Sequence, residues 1–144
     1  MHVSAILRTK GSAIITTRPS ETVGSVVRLL TVNRIGAALA IDDDGGIAGI
    51  ISERDIVRGL GEHGAAVMER KVSDLMTRKV VGCAPSDTVA SVMTKMTSGR
   101  FRHLPVMEGG RLVGFISIGD VVKHRLEETT QEVESLRQYV AGGI

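Results

Sequence analysis

Aromatic residues are almost missing: Phe101, Phe115 and Tyr139 are the only ones in 144 residues, and there is no Trp. A core made from this chain is therefore aliphatic, and a bound base would meet Ile, Val, Pro and backbone instead of a stacking platform. Cysteine is as scarce. Cys83 stands alone, which excludes an intrachain disulfide and a thiolate metal cluster. His2, His63, His103 and His124 have no i+2 or i+4 partner for a metal. Neither sign of charge prevails: 18 Lys and Arg face 16 Asp and Glu, scattered along the chain, short of the basic stripe of a nucleic-acid binder. No apolar run approaches the ~18 residues of a membrane helix, and Met1 to Gly11 lacks the apolar stretch of a secretion signal. A cytoplasmic protein without membrane contact is the expectation. Catalytic signatures are missing as well. There is no Gly-x-Ser-x-Gly elbow, no Gly-x-x-x-x-Gly-Lys loop and no Gly-x-Gly-x-x-Gly after a strand. Asp42-Asp43-Asp44 lacks the loop length and closing Glu of a calcium site and reads as a hairpin tip.

What the chain does have is 42% hydrophobic residues, enough for a core, and an internal repeat. Pro19-Ser20-Glu21-Thr22-Val23 recurs as Pro85-Ser86-Asp87-Thr88-Val89, and Gly49-Ile50-Ile51-Ser52-Glu53-Arg54-Asp55 recurs as Gly114-Phe115-Ile116-Ser117-Ile118-Gly119-Asp120. Aligned without gaps, 19–41 and 85–107 share eight residues, and 45–57 and 110–122 share six. Average residue usage would produce about two or three. The offsets, 66 and 65, differ by one residue within a Gly-rich turn, where length changes are tolerated.

Each copy predicts the same elements. A short strand, Ala13 to Thr17 or Lys79 to Cys83, is followed by Pro-Ser-acid-Thr, with Ser20 or Ser86 as N-cap and an acid in the first helical turn. Val23, Val26, Val27, Leu30 and Val89, Val92, Met93, Met96 fall at i, i+3, i+4, i+7, the spacing of a buried helical face. Two hairpins follow: Ala37 to Ile41 with Ile47 to Ser52, and His103 to Met107 with Leu112 to Ser117. Second helices are expected over Arg54 to Leu60 and from Asp120 onward, with Gly59 to Gly64 breaking structure between the copies. The two copies, 5–62 and 72–126, are expected to pack together by sheets or helices, because one such unit cannot bury both faces of its sheet. The tail, 127–144, reads as a continuing helix. Leu126, Val133, Leu136 and Val140 make a near-heptad seam, fitting either packing on its own chain or a dimer contact.

The duplicated pattern resembles a tandem cystathionine β-synthase (CBS) domain pair, also called a Bateman module, in its stand-alone form. The residues that carry the resemblance are Ile35-Gly36-Ala37 and Gly49 to Arg58 in copy one. In copy two they are Asp74-Leu75-Met76-Thr77, Arg102-His103-Leu104-Pro105-Val106 and Gly114 to Asp120. The resemblance implies an α/β (α+β) fold of two pseudo-symmetric βαββα units packed through their sheets. It also implies homodimers and adenosine ligands: AMP, ADP, ATP, and in some members NAD(H) or S-adenosylmethionine.

The residues themselves allow two readings at each motif. Ser52-x-x-Asp55 and Ser117-x-x-Asp120, at the ends of strands, have the spacing of a capping box. The resemblance instead gives the Asp to the ribose hydroxyls, with the Ser and the helix N-terminus toward phosphate. Arg100, Arg102 and His103 form the densest basic patch, suited to phosphate oxygens or simply a solvated turn. Copy one has the less charged Arg34-Ile35-Gly36-Ala37 there, so copy two suits more phosphate, partly offset by Arg54, whose counterpart is Gly119. Pro105 starts a strand, where a missing donor is tolerated, and offers an apolar wall to a purine. The resemblance makes Lys10 and Thr77 close over the base, with Thr16, Thr17, Gly82 and Cys83 lining the strand and Lys79 counted among the binding residues. Cys83 by itself reads as a small buried apolar residue. The resulting expectation is a non-catalytic adenine-nucleotide sensor with ligand in clefts between the repeats, acting on an unidentified partner protein. Its rivals are a structural interaction module without nucleotide and, less favoured by the charge balance, a nucleic-acid binder using Arg100, Arg102 and the basic residues near Lys79.

Overall fold

The computed structural model describes residues 1–11 and 13–142. Residues 143 and 144, the end of the expected tail, lie outside the described residues. In chain order the elements are α1 (Val3–Lys10), β1 (Thr16–Thr17), α2 (Val23–Asn33), β2 (Ala37–Ile41), β3 (Ile47–Ser52), α3 (Glu53–His63), a 3₁₀ segment (Gly64–Glu69), α4 (Val72–Leu75), α5 (Val89–Gly99), β4 (His103–Glu108), β5 (Arg111–Ser117) and α6 (Ile118–Gly142).

Two compact units result, and they do not coincide with the sequence repeats. One is Ile14–Val80; the other joins Met1–Ala13 to the chain from Val81. In the first, β1 runs parallel to β2 and β2 antiparallel to β3. Its core holds Val23, Val26 and Leu30 of α2, Ala38, Ala40 and Ile51 of the sheet, Ile56 of α3, and Val72 and Met76. In the second, β4 and β5 form an antiparallel pair over Val3, Ile6, Val89, Val92, Met96, Leu104, Val106, Ile116 and Val121.

The leading segment of each repeat thus completes the core of the other. Val3 and Ile6 of α1 are fully buried among copy-two residues, with the Val3 amide donating to the Asp87 carbonyl and the Val89 amide to the Met1 carbonyl. Val72 and Met76 enter the core of copy one in the same way, and the Val72 amide donates to the Glu21 carbonyl. Missing side chains permit the docking. A Cβ on Gly49 would stand 2.7 Å from the Thr77 carbonyl oxygen and 2.9 Å from Met76 Sδ, and one on Gly114 would overlap Leu7 Cδ2.

Several expectations are corrected. The caps of α2 and α5 are Thr22 and Thr88, whose hydroxyls accept from the Ser25 and Ser91 amides, not Ser20 and Ser86. A cap two residues later lets the first apolar residue, Val23 or Val89, start the helix itself. Glu21 and Asp87 consequently precede the helices, and the Asp87 carboxylate accepts from the Ala84 amide instead of serving the first turn. The first strand of copy one shortens to Thr16–Thr17. That of copy two reduces to a single bridge, Cys83 with Val106. Gly59 to Gly64 does not break the chain early: α3 runs through to His63. Gly59 is buried there, because its bare Cα admits Leu75 and Val67, each within 3 Å of where a Cβ would sit. Finally, Leu126, Val133, Leu136 and Val140 are exposed, so the seam of α6 does not pack on its own unit.

Gly49→Ala is expected to destabilise the protein by about 1–3 kcal/mol through overpacking against backbone. Gly46→Ala, whose Cβ meets nothing nearer than 3.4 Å, should change stability by no more than about 0.5 kcal/mol. Urea unfolding midpoints of the two variants check this; equal midpoints would contradict the close approach at Gly49.

Candidate functional site

Both units bring their chemistry to one corner, where the second hairpin strand turns into the following helix. In the first unit, β3 ends at Ser52 and α3 begins. Ser52 Oγ accepts from the Asp55 amide at 3.3 Å, and Asp55 Oδ2 accepts from the Ser52 amide at 2.9 Å and from its hydroxyl at 3.1 Å. This is a reciprocal capping box. The other carboxylate oxygen, Oδ1, accepts from Arg58 at 2.6 Å and from the Thr77 hydroxyl at 3.3 Å. Thr77 is held there by two backbone hydrogen bonds with Ile50, of 2.9 and 2.8 Å. With both oxygens engaged, the Asp55 side chain is only 6% exposed.

The second unit repeats the box with different company. The Ser117 amide donates to Asp120 Oδ2 at 2.8 Å, and Ser117 Oγ accepts from the Asp120 amide at 3.2 Å. The cation on this carboxylate is Lys10, from the end of α1, with Nζ 2.7 Å from Asp120 Oδ2 and 2.8 Å from the Phe115 carbonyl oxygen. Asp120 Oδ1 accepts no hydrogen bond among the described residues, and the side chain is 26% exposed. Burial by itself would raise the Asp120 pKa, but the Lys10 ammonium and the Ser117 amide outweigh it and hold the carboxyl below its ordinary value.

His103 stands beside this corner. It pairs with Ser117 across β4 and β5, and its ring stacks on Phe115 at 5.6 Å between centroids. Burial first, then the Lys10 charge, pushes its pKa down from 6.5 to about 4, against a smaller opposing pull from Asp120. His103 is therefore neutral at pH 7. It brings a ring and a hydrogen-bonding nitrogen, while the charge comes from Lys10 and from Arg102, whose carbonyl accepts from the Ile118 amide.

The remaining sequence-predicted residues divide. Ala37 pairs with Ser52, and the Gly36 carbonyl accepts from the Glu53 amide, so both border the Asp55 corner. Ile35 and Gly36 also line a recess of about 430 Å³ with Arg34, Glu53 and Val57. Arg54, Lys79 and Arg100 are exposed, Arg100 in a left-handed conformation just past α5. Thr16 and Thr17 pair with Leu39 and Ala40, further along β2 than Ala37. They open on a separate recess of about 450 Å³ with Arg18, Glu21 and Ser25. Pro105 is buried within β4 and not at its start, and Gly82 lies under its carbonyl. Cys83 is buried, and desolvation raises its thiol to about 11, so it stays protonated and unreactive. Sequence reasoning passed over Arg58, although its i+3 spacing from Asp55 signals a helical ion pair. The Lys10–Asp120 pair spans 110 residues and has no local signal.

Two pH windows follow. Unfolded, His103 takes up a proton near 6.5; folded, it does so only near 4. Acid in that interval therefore favours the unfolded chain, and the stability that His103 contributes above pH 6.5 is lost as pH falls toward 4. Asp120, with a depressed folded pKa, contributes stability above its ordinary 3.8 that is lost as pH falls through the lower folded value. An NMR titration of His103 should show a midpoint near 4 that rises in Lys10→Met. A midpoint of 6.5 in the unaltered protein would refute the buried, cation-flanked imidazole.

Comparison with known proteins agrees with this architecture. A family model for the CBS domain matches residues 3–62 and 72–127. The mitochondrial CBS domain-containing protein CBSX3 of Arabidopsis thaliana is 32% identical over 149 aligned positions, covering 98% of this chain and 72% of the relative. Among solved structures, a CBS-domain-containing protein of Agrobacterium tumefaciens superposes with a TM-score of 0.84 at 44% identity, over 86% of this chain and 92% of that one. At 22% identity, the CBS domain pair of the protein MJ0100, in complex with 5-methylthioadenosine and S-adenosyl-L-methionine, shares the fold with a TM-score of 0.78 over 89% and 98% of the two chains. With two matched repeats and a mixed α+β structure built on them, the chain belongs to the CBS domain family.

Proposed function

We propose that this CBS pair is a non-catalytic regulatory module that binds an adenosine-containing nucleotide, AMP, ADP, ATP or NAD(H), at its Ser-x-x-Asp corners. The observation that carries the reading is the Asp120 carboxylate. One oxygen is fixed by the Ser117 amide and Lys10, and the other is left toward solvent at the start of a helix. An ionised, oriented carboxylate with an open oxygen suits the two hydroxyls of a ribose. Lys10, Arg102 and the N-terminus of α6 suit the phosphate that a ribose carries. The MJ0100 pair, solved with two adenosine compounds, supports the ligand class. The reading extends to a cytoplasmic protein that acts as a homodimer on a partner sensing its ligand state.

The two corners are unequal in this reading. Asp55 has both oxygens engaged, so a ribose there must displace Arg58, whereas Asp120 offers Oδ1 as it stands. Asp120→Asn should weaken nucleotide binding by about 10- to 100-fold, the worth of a hydrogen bond to a charged group. Asp55→Asn should cost less.

Thermal melting with AMP, ADP, ATP and NADH, followed by calorimetric titration of the two variants, tests this. A ligand at 100 times its dissociation constant adds ~2.7 kcal/mol. No rise in melting temperature with any adenosine compound would sink the proposal and favour a structural interaction module.

A further inference from the structure

The second half of α6 has no partner in its own unit. The buried residues of this helix are Val121 and His124, and every residue from Thr129 to Gly142 is exposed. Isolated helices of this length are marginal in water. Yet the exposed face is patterned. With Leu126 at heptad position a, Val133 and Val140 also fall at a, Val122, Thr129 and Leu136 at d. Leu126, Val133, Leu136 and Val140 are 46–65% exposed. The charges beside the seam say what covers it. Glu132 occupies g and Arg137 the e of the next heptad. These are the two positions that face each other across a parallel, in-register pair of helices. An antiparallel pair with Leu126 opposite Leu136 would instead set Glu132 against Glu132, and Lys123 against Arg137.

We infer that the outer half of α6 is a dimerisation surface, pairing in parallel with α6 of a second copy along Leu126, Val133, Leu136 and Val140, with Glu132 of each copy against Arg137 of the other. The seam is short, and two reciprocal ion pairs decide its direction more than its strength.

Sedimentation equilibrium of the full chain measures the association. Leu136→Glu should raise the dimer dissociation constant at least about tenfold. Glu132→Lys, which sets like charges together twice per dimer, should raise it by about tenfold. The exchange Glu132→Lys with Arg137→Glu should return it to near the starting value. These positions are exposed and outside both cores, so each variant should keep the parent's cooperative unfolding transition, and any loss of helix seen by circular dichroism in Leu136→Glu should be confined to the outer half of α6. Orientation is read by oxidation of Val140→Cys: a parallel pair brings identical positions together, so this variant crosslinks to itself, while Cys83 stays buried. A monomer at every concentration, a dimer indifferent to Leu136→Glu, or a Val140→Cys that links only to a Val122→Cys chain would each overturn the inference.

Discussion

What reaches the two corners from elsewhere in the chain depends on one packing event: the seating of a leading segment against a sheet strand that carries glycine where a side chain would block it. Gly49 admits Met76 and the Thr77 carbonyl, and Gly114 admits Leu7. The driving force is apolar. Fully burying Val3 and Ile6 in one unit, or Val72 in the other, is worth about 1.5–3 kcal/mol per side chain. The polar consequence comes with it, because the residues that follow these anchors carry the groups that meet the carboxylates. Thr77 comes to Asp55, and Lys10 to Asp120. The counter-charge of Asp120 and one hydrogen bond to Asp55 are therefore set by core packing in the same unit, through a segment borrowed from the other repeat.

Much of this was legible along the chain. The i, i+3 and i+7 positions of α2 and α5 became core residues, with Val27 and Met93 at i+4 half-buried against them, and β2 and β3 have the expected limits. Both readings of Ser-x-x-Asp start from geometry that the structure does contain, since the capping boxes form at both sites. What could not be read was anything decided at a distance. The repeat alignment places Val3 beside copy one in sequence; only tertiary burial assigns it to copy two. Local propensity put the caps at Ser20 and Ser86, and hydrophobic register moved them to Thr22 and Thr88. The first strand of copy two, Lys79 to Cys83, is expected as the counterpart of that in copy one. It survives as one bridge because Cys83 and Val81 are held by the core while few ladder bonds form.

The site followed the same division. Residues fixed by the local motif, Ser52, Asp55, Ser117 and Asp120, lie where the pattern puts them. Residues whose role depends on which surface they face scattered: Thr16 and Thr17 open on another recess, and Arg54 and Lys79 point to no partner among the described residues. His103 shows that even a residue at the right place can carry a different property from its usual one. A basic patch read from sequence counts it as a potential cation, but a half-buried ring beside Lys10 has already given up its proton by about pH 4 and is neutral well below pH 7.

Duplication made the two corners alike in backbone and left them unlike in charge. Asp55 is neutralised from within its own helix by Arg58, one turn away, so its ion pair survives any movement of the leading segment. Asp120 is neutralised by Lys10, which reaches it only while α1 is docked. A nucleotide that engages Lys10 and Asp120 together thus binds the docked form of α1 better than an undocked one, and a ligand shifts an equilibrium only through such a difference in affinity. The corner at Asp55 has no equivalent lever, since Thr77 contributes a single neutral hydrogen bond there. Asp120 also lies in the first turn of α6, about 30 Å along a continuous helix from Val140. One helix therefore carries the open carboxylate at one end and the apolar seam at the other, and the counter-charge of that carboxylate is supplied from outside its own repeat.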